Sequence, residues 1–283
     1  MTARGWLLFA AASVLFGTPY LFVKIALDGG VEPADIAFAR AAVAAAVLVP
    51  LAAGTGGLSH IRGRWPAVAG LAVLGMVLPF VLVAVGEQTI SSSLAGILVA
   101  TAPIWVALLA LAADRSERFD RMRGLGLVIG FAGVVALLGV NVTGKDALLG
   151  ALAVLALAVS YAAATLLYGR LLRGVSPLGV TAAAMALATG ALAAPAALAV
   201  DAAPGAGPLA ALAALGLLST AAGYVAYYAL VQEAGAGRSA VTLYVNPAVA
   251  VLLGVVLLGE PLGAGAVVGL LLILAGSRLA MGR

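Results

Sequence analysis

The sequence predicts an all-α integral membrane protein: ten transmembrane helices forming two inverted five-helix repeats, with both termini in the cytoplasm. Three observations predict it. Apolar residues make up 64% of the 283 and charged residues 9%, against about 45–50% and about 25% in an ordinary soluble domain. Long apolar runs, such as Leu148 to Leu167, are separated by short polar breaks. A pattern of about 140 residues occurs twice.

So few charges cannot cover the surface of a water-soluble enzyme, and a disordered chain would be polar and charge-rich. The chain has no Cys, which excludes disulfides, zinc ribbons, Fe–S clusters and a thiol nucleophile. Its 36 Gly and 12 Pro follow no Gly-X-Y period, so collagen is excluded too. No cofactor, no metal and no catalytic residue is expected.

Lipid offers no partner to backbone N–H and C=O groups, so spans must be helices or closed barrels. Barrel strands would alternate polar and apolar residues. The unbroken apolar runs favour helices of about 20 residues. Breaks fall at 28–33, 54–65, 86–91, 114–123, 142–146, 170–177, 201–208, 232–238 and 259–261. The helices then run roughly 5–27, 34–53, 66–85, 92–112, 124–141, 147–169, 178–200, 209–231, 239–258 and 262–280. The connections are too short for a soluble domain. The first run, with Arg4 ahead of it, has some features of a signal peptide, but it is long and has a partner later in the chain.

Lys/Arg bias sets the orientation. With the N-terminus inside, Arg4, Arg62, Arg64, Arg115, Arg118, Arg121, Arg123, Arg170, Arg173, Arg238, Arg278 and Arg283 all lie in the cytoplasm. Only Lys145 falls in an outer loop, and the outer side carries Asp28, Glu32, Asp35, Glu87, Asp146, Asp201 and Glu260. The arginine-rich loop is interleaved with Asp114, Glu117 and Asp120, so it reads as an anchor on anionic lipid and not as a nucleic-acid patch.

The repeat is read from spacing. Pro103-Ile-Trp-Val-Ala-Leu-Leu matches Pro247-Ala-Val-Ala-Val-Leu-Leu. Glu117, Gly126 and Ala132-Gly133 match Glu260, Gly269 and Ala275-Gly276, and Pro33, Pro50 and Pro66 pair with Pro177, Pro195 and Pro208. The units are 1–145 and 146–283. Five helices is an odd number, so the second unit enters from the opposite side. Inverted repeats of this kind are a hallmark of secondary transporters, in which two similar halves open a central site to each side in turn.

Phe16-Gly17-Thr18-Pro19 with Lys24, Arg40, and the two Pro…Glu…Gly…Ala-Gly stretches (103–133 and 247–276) resemble the drug/metabolite transporter superfamily in its EamA branch. The resemblance covers essentially the whole chain. It implies export of amino acids, other metabolites or drugs across a bacterial inner membrane. Within the branch the chain most resembles exporters of aromatic and other hydrophobic amino acids. The partners implied are a small solute and lipid, and the protein is a monomer or a homodimer.

Ionisable residues within spans are costly and are functional candidates by default. Lys24 and Arg40 lie towards the outer ends of the first and second helices. Each either binds a solute carboxylate or a gate residue such as Asp35 or Glu87, or extends its long stem to the interface. Arg40 has no counterpart in the second unit, where Ala184 or Met185 falls. Glu87, Glu233 and Glu260 all sit at helix ends, and the single His60 is in a cytoplasmic loop. With no carboxylate at mid-depth, facilitated diffusion is expected in place of obligatory proton antiport.

The remaining cavity candidates are Thr18, Tyr20, Phe80, Thr101, Trp105, Ser160, Tyr161, Tyr224, Tyr227, Tyr244 and Asn246. Pro19, Pro79, Pro103 and Pro247 are candidate kinks or gates, since proline frees carbonyls that can line a cavity. Aromatic walls with a few polar groups suit an amphipathic solute. Tyr and Trp also form interfacial belts, and Ser, Thr and Asn also join helices. Trp6 and Trp65 fit the belt. Gly126–Gly130 and Gly265–Gly269 read as GxxxG faces, either pairing the fifth and tenth helices or mediating a dimer.

Gly139 to Asp146 approaches a phosphate-binding loop but fails. Asp146 replaces the metal-binding hydroxyl, and a helix precedes where a strand is needed. An intramembrane enzyme would need paired carboxylates, a Ser/His pair or metal ligands at one depth, and none is present. A channel or scramblase would need a continuous polar groove. Exporters of nucleosides or organic cations remain open within the same family.

Overall fold

A computed structural model describes residues 2–113, 121–198, 204–234 and 242–280. Among these residues every regular element is helical. Seven helices are long and apolar enough to cross a membrane: α1 Ala3–Asp28, α2 Pro33–Gly54, α3 Trp65–Glu87, α4 Ser92–Ala112, α6 Lys145–Leu171, α7 Pro177–Leu198 and α8 Ala206–Ala234. Three further helices, α5 Arg121–Asn141, α9 Thr242–Leu258 and α10 Ala264–Ala280, have shorter apolar stretches. Glu117, Asp201 and Arg238 lie outside the described residues.

Proline placement explains several local irregularities. α1 breaks at Thr18, and Pro19 starts its second half. Proline lacks the N–H that would continue the ladder and is tolerated in a first helical turn. α4 is interrupted at Ala100 and Thr101, just ahead of Pro103. In α3 a π-helical segment, Val73–Val77, precedes Pro79. A second π segment, Leu215–Ala222, interrupts α8, where no proline announces it. Pro247 sits within α9 without ending it.

The helices pack in a recurring set of pairs: α2 on α7, α4 on α9, α5 on α10, α3 on α6 and α1 on α8. In the first three pairs each helix meets the one five places on. The last two pairs exchange under the same shift of five. The α5–α10 pair approaches backbone to backbone. A methyl at Gly133 would lie 2.9 Å from the Ile273 nitrogen and 3.0 Å from the Gly269 oxygen, and one at Gly276 would collide with Gly130. Small residues permit such an approach where no water drives helices together. The glycine faces are therefore used within the chain. Their register centres on Gly130, Gly133, Gly269 and Gly276, one turn from the expected pairing.

Buried apolar side chains form separate clusters. One joins α2, α3 and α7 through Leu48, Met76 and Met185. A second joins α4, α5, α6 and α10 through Ile97, Leu137 and Ile273. The third holds α1, α2, α3, α6 and α8 together through Val23, Ile36, Val83, Leu157 and Leu215. Trp6 and Trp65 are exposed on the outside of the bundle.

Candidate functional site

Arg40 is the most informative side chain in the bundle. It sits in the first half of α2 and is only 7% exposed. Its guanidinium carbon lies 4.0 Å from the centre of the Phe80 ring, and its Nε donates to the Thr220 hydroxyl at 3.0 Å. The ring quadrupole of Phe80 attracts the cation. Thr220 in turn donates to the Leu215 carbonyl, five residues back, at 2.8 Å. That bond spans the π segment of α8, so the widened turn aims a hydroxyl lone pair at Arg40. Burying a cation is costly, and these contacts offset part of that cost.

Other polar and aromatic groups converge here. Tyr20, Tyr161, Tyr224 and Glu87 all lie within electrostatic reach of Arg40. Tyr224 meets Phe16 edge-on at 5.3 Å between centroids, and Tyr227 lies 5.7 Å from the same ring. Tyr228 packs beside Tyr224 and bonds Thr181. Thr18, at the break in α1, donates to Leu15 at 2.8 Å and lies 2.6 Å from the Ser219 hydroxyl. The two irregular helices α1 and α8 are thus tied at their irregular points.

Not every expected residue joins this cluster. Trp105 packs edge-on against Phe131 of α5 at 5.4 Å, and its indole N–H donates to Thr101 at 3.2 Å. Thr101 itself donates to Leu98 at 2.7 Å. Ser160 donates to the Leu74 carbonyl at 2.7 Å, satisfying a backbone group of the α3 π segment. The Asn246 amide, in the orientation that satisfies it, donates to Thr242 at 2.7 Å and to Ser13 of α1 at 3.2 Å. All four act as joints between or within helices. The Tyr244 side chain lies outside the described residues.

Towards the end of the bundle that carries the acidic loops, Lys24 pairs with Asp28 at 3.1 Å and donates to the backbone carbonyl of Glu87 at 3.3 Å. A cleft of about 250 Å³ opens beside it, lined by Lys24, Asp28, Glu32 and Gln88. Glu87 is fully buried, and neither carboxylate oxygen has a hydrogen-bond partner among the described residues. The sequence placed Glu87 at a helix end, as the structure does, but gave no sign that this end is buried. α1 closes over the end of α3, and Gly86 lets α3 sit against Gly150 of α6.

Glu260 behaves differently. It accepts from the Ser92 and Ser93 backbone N–H groups at 2.7 and 2.9 Å and from the Ser93 hydroxyl at 2.5 Å. Partial burial works to raise its carboxyl, but the hydrogen bonds from Ser93 and Ser92 outweigh that and hold it below the usual carboxylate range. It therefore caps α4 as an anion, where the orphan N–H groups of the first turn need acceptors. Ser219, Thr220 and Phe16 were absent from the expected site. Two adjacent hydroxyls in an otherwise apolar run were the only sequence signal for the first two.

The EamA-like transporter family profile matches residues 3–139 and again 148–282. An uncharacterized transporter of Archaeoglobus fulgidus is 28% identical over 282 residues, covering 96% of this chain and 97% of that protein. A crystal structure superposes with a TM-score of 0.68 at 20% identity, covering 99% of this chain and 97% of that one. That likeness carries the fold alone.

Proposed function

The chain belongs to the EamA-like transporter family, and we propose that it exports small metabolites, with aromatic and other hydrophobic amino acids as the favoured class. It is a multi-pass membrane transporter and not an enzyme. The cycle is alternating access between inverted five-helix repeats, 1–145 and 146–283, in the cytoplasmic membrane of a bacterium with both termini inside. Three features support the duplication. The profile matches twice, the helix pairs map onto one another under a shift of five, and the π segments of α3 and α8 start 142 residues apart, at Val73 and Leu215.

The observation that carries the solute class is Arg40. Its Nε and one face of its guanidinium are taken by Thr220 and Phe80. The planar fork of the Nη groups is the geometry that a carboxylate takes in bidentate fashion. Tyr20, Tyr161 and Tyr224 around it supply aromatic wall for an apolar side chain. A buried guanidinium disfavours organic cations through like-charge repulsion. Flux runs down the solute gradient, because the one buried carboxylate among the described residues, Glu87, lies at an end of its helix and not at mid-depth.

The test is counterflow of labelled L-phenylalanine in proteoliposomes, challenged with amino acids, nucleosides and organic cations. Saturable, stereoselective exchange with competition by hydrophobic amino acids is expected. If no amino acid competes, the solute class is wrong. Non-saturating flux would mean a channel or scramblase.

A further inference from the structure

Glu87 has a role that the solute site does not use. Its side chain is completely buried and both oxygens lack partners among the described residues. An ionised carboxylate in that position would be far more costly than a neutral one, because nothing replaces its water. The cations nearby are committed elsewhere. Lys24 pairs with Asp28 and bonds only the Glu87 backbone, and Arg40 is held by Thr220 and Phe80. Two acids, Glu260 of the α9–α10 connection and Asp28 of α1, lie within electrostatic reach together with the cations Lys24 and Arg40, so the surrounding charges are mixed and none of them hydrogen-bonds the carboxylate oxygens. Glu260 is kept anionic by Ser92 and Ser93, so of the two neighbouring glutamates Glu87 is the one left to take a proton. Tyr20 of α1 also faces it.

We propose that Glu87 is a proton-binding site that locks the outer gate: it is buried as the neutral acid while α1 and α3 are closed there, and it loses its proton when they part. Opening breaks the carboxyl O–H bond, leaves the electron pair on the carboxylate oxygen and passes the proton to water. Closing reverses this. The proton is taken from and returned to the same side, so none crosses the membrane, and the downhill character of transport is kept. Because only the closed gate favours the proton, acidity favours closure by linkage. The inference rests on the alternating-access reading for its word "gate".

The test uses the absence of native Cys. In lipid nanodiscs, Val83→Cys, on α3 and buried one turn from Glu87, is labelled with a maleimide at pH 5.5 and 8.5. Its rate is divided by that of exposed Lys145→Cys, which removes the effect of thiolate ionisation. The normalised rate is expected to rise about tenfold at the higher pH, the response to a one-unit change at a single linked site. In Glu87→Gln, which mimics the neutral acid, it is expected to stay low at both. Infrared difference spectra across the same pH range are expected to show a carboxyl C=O band that Glu87→Gln removes. An unchanged band, or the same pH response in Glu87→Gln, overturns the proposal. Neither readout needs a transported solute, so failure of phenylalanine counterflow would count against the solute class alone.

Discussion

The Arg40 guanidinium rests on the face of Phe80, 4.0 Å from the ring centre. One residue comes from α2 and the other from the second half of α3. Thr220 of α8 completes the holding of the cation. Three helices distant in the chain therefore meet at one charge, and any movement of α8 against α2 and α3 changes its surroundings.

Arg40→Lys keeps the charge but loses the planar fork and the stacking. The KM for phenylalanine counterflow is expected to rise about tenfold or more, equal to about 1.4 kcal/mol of binding. Arg40→Gln is expected to abolish saturable exchange. Thermal unfolding of both variants checks that the fold survives.

Thr220→Val keeps the shape and removes the acceptor. A buried charged donor without its partner costs about 1–3 kcal/mol. A lower melting temperature and a weakened phenylalanine affinity are expected together, because the same bond orients Arg40. Trp105→Phe is the contrast. Its indole bonds Thr101 within α4 and packs on Phe131, so a loss of about 0.5–1.5 kcal/mol of stability is expected with exchange kinetics unchanged.

Glu260 caps α4 as an anion held below the usual carboxylate range. Its contribution to stability is present above the pKa of the unfolded state. It is lost as pH falls through the lower, folded value. Glu260→Ala is expected to cost about 1–2 kcal/mol at neutral pH, the range for losing an N-terminal cap. The gap between variant and parent melting temperatures should close in acid. A gap that persists there would mean that packing, and not charge, explains the loss.

Gly276→Leu places a side chain against the Gly130 backbone. Overpacking of this kind costs about 1–3 kcal/mol, and a lower unfolding temperature is expected. Gly139→Leu on the same α5 helix meets nothing within 4 Å and should be neutral. Equal effects at both positions would contradict the packing role of the α5–α10 contact.

Much of this architecture was legible in composition and spacing. The apolar runs located the helices, and the prolines located several of their irregular points. Arg40 stood out because a cation in lipid is expensive wherever it occurs. Its partners could not be read in the same way. Thr220 and Ser219 look like ordinary helical hydroxyls until the π segment turns them inward. Trp105 and Asn246 lie beside prolines, as a cavity residue would, yet their polar atoms are consumed within their own helices and, for Asn246, also by α1.

Glu87 marks the boundary between the two kinds of knowledge. Hydropathy is a property of segments, so the sequence by itself determined that α3 ends there and that a charge is tolerated at that depth. Burial is a property of packing between segments distant in the chain. Only the tertiary structure decided that α1 covers that end, that Lys24 turns to Asp28, and that the carboxyl is buried without a partner among the described residues.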